Sequence, residues 1–139
     1  MLAAIPVVVL LVVLSARMLG QDNTCRPAST APSAETALLP AGLSFEQIGT
    51  VTGVRRDERH VMVQAVTTEP PDLATVLIQD AVTAAGYRPA GMDSEGVEAE
   101  VFFNTGPYAA GRARVQPAAC AGRWDIDLVL LDRDAEPAP

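Results

Sequence analysis

The chain has 139 residues, with 17 carboxylate side chains against ten cationic ones, all ten of them Arg, which gives a net charge of −7 and a pI near 4.5. That sign makes nucleic acid and anionic membrane surfaces poor partners through long-range electrostatics. Once an apolar N-terminal stretch and a linker are set aside, the length allows one domain of about 100 residues, a size at which a single cross-link matters.

Leu2 to Ala16 is apolar throughout except for Pro6 and Ser15, and the run reaches spanning length if it is counted through Arg17 to Leu19. A signal peptide or a membrane anchor over residues 1–20 is the expectation, with membrane contact through residues 2–19. No Lys or Arg precedes the run, and Leu14-Ser-Ala16 and Met18-Leu-Gly20 are both weak cleavage sites, so an uncleaved anchor is favoured over a released chain. Arg17 and Arg26 after the run would place that side in the cytoplasm by the positive-inside rule, whereas the cysteines point outward. Cys25 is preceded by Asp22-Asn23-Thr24, which is not a lipobox. Cys25 and Cys120 are the only cysteines. In an exported domain they make one disulfide most simply.

Residues 21–42 are rich in Pro, Ser, Thr and Ala without apolar periodicity, and read as a flexible linker to a domain over 43–132. Leu43 to Val54 and His60 to Thr67 are β-rich and flank the charged turn Arg55 to Arg59. A turn centre between Asp57 and Glu58 pairs Val54 with Val61. Glu69-Pro-Pro-Asp72 then starts a helix in which Leu73, Val76, Leu77, Ala81 and Ala84, widened by Ile78 and Val82, form the apolar stripe. Gly86 is placed to cap it in the left-handed conformation. Pro89 restricts Tyr87 to Met92 to an edge, and Asp93-Ser-Glu-Gly96 reads as a turn.

Three alternating segments follow: Val97–Phe103, Gly111–Val115 and Trp124–Leu131. A turn centred on Gly106 sets Glu100 opposite Arg112 and Glu98 opposite Arg114. A second, at Ala119–Cys120, sets Arg112 opposite Asp127 and Arg114 opposite Asp125. The other face is then apolar throughout, so charge and patterning agree on one arrangement. The fold expected is α+β: an antiparallel sheet of about five strands with one helix across one face, preceded by an N-terminal apolar helix. Residues 133–139 read as a disordered acidic tail.

Chemistry is thin. Glu98, Glu100, Asp125 and Asp127 have arginines between them and read as a cross-strand charge ladder rather than a metal site. Asp93-Ser-Glu-Gly96 lacks the alternating ligands of a calcium loop. His60, the only histidine, has no nucleophile in a recognisable context beside it. No cofactor, metal or catalytic set is expected. Phe102 alternates to the charged face, as do Val129 and Leu131, and an exposed apolar strip there would be a binding surface for a protein partner at the membrane. Two functions follow: a non-catalytic extracytoplasmic accessory or protein-interaction domain tethered to the cell membrane, or a secreted or periplasmic small-ligand module with a pocket between helix and sheet lined by Tyr87 and Trp124.

Overall fold

The computed structural model describes residues 25–133. Six strands make one antiparallel sheet: β1 (Thr50–Arg56), β2 (His60–Thr67), β3 (Arg88–Glu95), β4 (Glu98–Thr105), β5 (Tyr108–Pro117) and β6 (Trp124–Leu131). A single helical turn, α1 (Ser33–Thr36), precedes them, and the main helix α2 (Pro71–Ala84) packs over one face. The spatial order is β1-β2-β6-β5-β4-β3, so α2 carries the chain from β2 past three strands to the far edge, and β3 to β6 return as a meander. The α+β reading stands, but the sheet has six strands rather than about five. Asp93 to Glu95, expected to turn, continue β3 because the reversal needs only Gly96 and Val97, with Gly96 at φ 67°. An irregularity between Pro89 and Gly91 accommodates the proline on this outer strand.

Val54, Glu100, Arg112 and Arg114 are each displaced by two residues from their expected partners. Val54 pairs with Val63, not Val61. Asp57 Oδ1 accepts the backbone N–H groups of Arg59 (2.8 Å) and His60 (2.7 Å), which moves the reversal one residue further along the chain. In the β4–β5 hairpin, Gly106 and Pro107 make the turn, and a bulge near Asn104 adds a residue to β5. Arg114 therefore faces Glu100 and Asp127, while Arg112 faces Phe102 and Val129. A displacement of two preserves which face every side chain occupies. Hence Ala99, Val101, Ala113, Val115, Ile126 and Leu128 are buried as expected, although Val97 sits exposed in the β3–β4 turn and Trp124 is only partly covered.

The helix is rotated from its expected orientation. Ala74, Thr75, Ile78 and Val82 are buried, whereas Leu73 and Val76 are 45% and 46% exposed. Thr75 is admitted to the interior because its hydroxyl donates to Asp72 O at 2.9 Å. The core is completed by Leu43, Phe45 and Ile48 from the segment before β1. At its end α2 has both bonds of a Schellman cap, Gly86 N–H to Thr83 O (2.9 Å) and Tyr87 N–H to Val82 O (3.3 Å), with Gly86 at φ 95°.

The tract from Cys25 to Gly42 is laid on the domain and does not hang free. Ala31 is buried and its N–H donates to Val51 O at 2.8 Å, while Glu35 Oε2 accepts Val54 N–H at 3.2 Å. These bonds cover the outer edge of β1, which would otherwise offer unpaired backbone groups. The composition of this tract is linker-like, but backbone bonds to an edge strand need no apolar period. The sulfurs of Cys25 and Cys120 are at disulfide distance, joining positions 95 residues apart. The N-terminal apolar run and the tail beyond Arg133 lie outside the described residues. Among the described residues no helix is long and apolar enough to cross a membrane.

Candidate functional site: the open face of the sheet

The face of the sheet turned away from α2 follows from strand alternation and pairing. Its first cross-strand row runs Arg55, Met62, Val129, Arg112, Phe102. Two residues further along each strand lies a second row, Gln64, Asp127, Arg114, Glu100, Asp93. Beyond these are Asp125, Gln116, Glu98 and Glu95. Phe102 is 37% exposed and Val129 36%, so each keeps about a third of its surface in water. Leu131, at the end of β6 opposite His60, is partly buried and leans on the core, so it extends the strip less than its two neighbours do.

Phe102 and Val129 do not touch through a continuous apolar seam, because Arg112 stands between them on β5. Its guanidinium reaches diagonally to Glu100 at 3.8 Å, and Arg114 reaches diagonally to Glu98. These are two of the four pairings expected from the sequence, formed across diagonals; the expected pairs of Arg112 with Asp127 and of Arg114 with Asp125 are not at ion-pair distance. Exposed pairs of this kind contribute about 0–1 kcal/mol each, so they organise the surface more than they stabilise it. Asp127 accepts from Gln116 Nε2 at 3.4 Å. Two open depressions lie on this face: one of about 400 Å³ reaches from Glu35 and Arg55 to Met62 and Val129, and one of about 260 Å³ lies over Arg114, Asp93, Glu95 and Glu98.

Met62 belongs to this row and was missed. Counting back by two from Gln64 along β2 would have put it on the same face, but only once β6 is known to pair with β2. That pairing joins strands 57 or more residues apart in the chain (from Thr67 to Trp124), and no local signal announces it.

The remaining candidates are placed elsewhere. His60 Nδ1 is 3.5 Å from Asp57 Oδ1 in the β1–β2 turn, and both side chains are about half exposed. The carboxylate holds the turn, and hydrogen bonds from the backbone of Arg59 and then His60 keep its pKa below the ordinary value. Arg56 pairs with Asp132 at 3.4 Å. Tyr87 is buried, its hydroxyl donating to Leu131 O at 2.6 Å, and the space between α2 and the sheet is filled by Ala74, Ile78 and Val82 against sheet residues such as Val101 and Phe103. Among the described residues, no three His, Cys, Asp or Glu side chains converge as metal ligands.

Comparison of the chain with protein-family models, with curated proteins and with solved structures gave no match in any of the three. What the fold and the surface define is therefore a class: an α+β domain with a one-sided core, a cross-linked N-terminal tract and an amphipathic open sheet face.

Proposed function

We propose that this protein is a non-catalytic accessory domain, held outside the cytoplasm at the membrane by its N-terminal apolar run, that acts by docking another protein on the open face of its sheet. The observation that carries the reading is the exposure of Phe102 and Val129 on either side of Arg112, on a face that α2 leaves bare. Phe102 and Val129 stand in one cross-strand row with the partly buried Met62 and with Arg112 between them, a grouping of aromatic, aliphatic and Arg side chains that protein interfaces favour. An aromatic beside an arginine is also the pairing that protein interfaces favour. Export is supported by the Cys25–Cys120 pair, since such bridges persist in oxidising compartments.

The small-ligand reading comes second. It asks for a pocket between helix and sheet, and that space is occupied by side chains, with Tyr87 committed to Leu131. A direct test extracts the full chain from host membranes in mild detergent and compares wild type with Phe102→Ser/Val129→Ser by size-exclusion chromatography. The wild type should elute as part of a larger assembly, and the variant at the size of the free chain with an unchanged melting temperature. Co-elution of both at the free size would count against docking, and recovery of the chain in the soluble fraction would count against the tether.

A further inference from the structure

The charge of the open face identifies the chemistry of what it receives. This inference rests on the docking reading above and adds to it the nature of the partner. Six carboxylates occupy the face, Asp93, Glu95, Glu98, Glu100, Asp125 and Asp127, against four guanidiniums, those of Arg55, Arg88, Arg112 and Arg114. Arg55 and Arg112 stand in the apolar row and Arg88 in the row beyond it, opposite Asn104, whereas all six carboxylates lie in the rows on the other side. Among the described residues, Asp93, Glu95 and Asp125 have no cation at ion-pair distance. Successive same-face positions along a strand are about 7 Å apart, so the apolar row and the first acidic row are within one Debye length of each other at physiological salt.

We infer that the occupant of this face is a cationic polypeptide segment, one that places an aromatic or aliphatic side chain against Phe102 and Val129 and Arg or Lys side chains over Asp93, Glu95 and Asp125. A second copy of this chain fits poorly, because apposing two such faces would bring like charges together across the interface. An anionic lipid surface or nucleic acid is disfavoured by the same sign. The excess of carboxylates over guanidiniums gives attraction at long range, and Asp93, Glu95 and Asp125, with no cation at ion-pair distance among the described residues, give register at contact. The apolar anchor supplies what charge alone does not, a fixed position along the row.

The test uses the full chain in nanodiscs of zwitterionic lipid, with empty nanodiscs as the blank. Three labelled peptides serve as probes: one alternating Arg with Phe and Leu, its charge-reversed counterpart with Glu, and an Arg/Ser version without apolar side chains. Fluorescence anisotropy should find the first probe bound at least about tenfold more tightly than either of the others, with affinity falling several-fold as salt rises. Asp93→Asn/Asp125→Asn should weaken it several-fold without moving the melting temperature, since neither carboxylate has a cation at ion-pair distance among the described residues. Equal binding of the Arg and Glu probes, both abolished by Phe102→Ser, would overturn the cationic assignment while leaving the docking reading intact. Binding that ignores Phe102→Ser would overturn the docking reading itself. No binding by any probe would overturn the assignment.

Discussion

Asp57 governs the β1–β2 turn by accepting two backbone N–H groups, and its lowered pKa has a consequence with a definite sign. A carboxylate stabilised as the anion in the folded state contributes above its unfolded pKa of about 3.9, and that contribution is lost as pH falls through the lower folded value. Asp57→Asn should therefore melt below wild type at neutral pH, and the gap should close as pH falls below about 4. Thermal melts of both proteins across that range check it. A gap that stays constant with pH would mean that the carboxylate's charge plays no part in holding the turn. At this scale the sequence was legible in kind but not in place: a turn was expected over Arg55 to Arg59, but Arg55 and Arg56 continue β1, and which carboxylate would bind the backbone, and so where the reversal fell, depended on atoms that no pattern names.

For the elements, α2 separates what periodicity can and cannot say. The apolar residues of this helix run nearly all round it, so the stripe expected on Leu73, Val76, Leu77, Ala81 and Ala84 gives way to one on Ala74, Ile78 and Val82. The second was chosen by the sheet beneath and by Leu43, Phe45 and Ile48 covering its flank. The difference is measurable. Ile78→Ala should cost about 2–5 kcal/mol as a large-to-small change in a filled core. Val76→Ala, on the exposed side, should stay within about 0.5 kcal/mol. Urea denaturation of the two variants decides which face is inward. The hairpins behave in a related way, since alternation assigned Val101, Ala113 and Ile126 to the core correctly while the pairings of Glu100, Arg112 and Arg114 were displaced by two. A shift of two leaves hydrophobic burial unchanged, so the apolar pattern could not detect it. Bulges and turn bonds set it instead.

Across the whole molecule, the Cys25–Cys120 bridge and the docked N-terminal tract make one unit of what composition divided into linker and domain. Cross-linking positions 95 residues apart restricts the unfolded chain over almost the whole described length. Cys25→Ser/Cys120→Ser should lose about 2–5 kcal/mol of stability. Urea unfolding of the oxidised wild type against the variant measures it, and a loss near zero would mean that packing alone holds the tract. Cysteine usage made the pairing legible, whereas the laying of Ala31 and Glu35 along β1 was not, because it rests on an edge strand's need for partners rather than on any feature of the tract itself.

The same one-sided architecture leaves Phe102, Arg112 and Val129 facing outward, and the central claim is that this face meets another protein. Site-specific photo-cross-linking of the full chain in its own host tests it most directly, with a photoreactive side chain at position 102 compared with one at position 80 on the exposed side of α2. Position 102 should yield one discrete adduct of defined mass and position 80 none. Adducts from position 80 alone, or no adduct from position 102 in cells where the protein is abundant, would contradict the account.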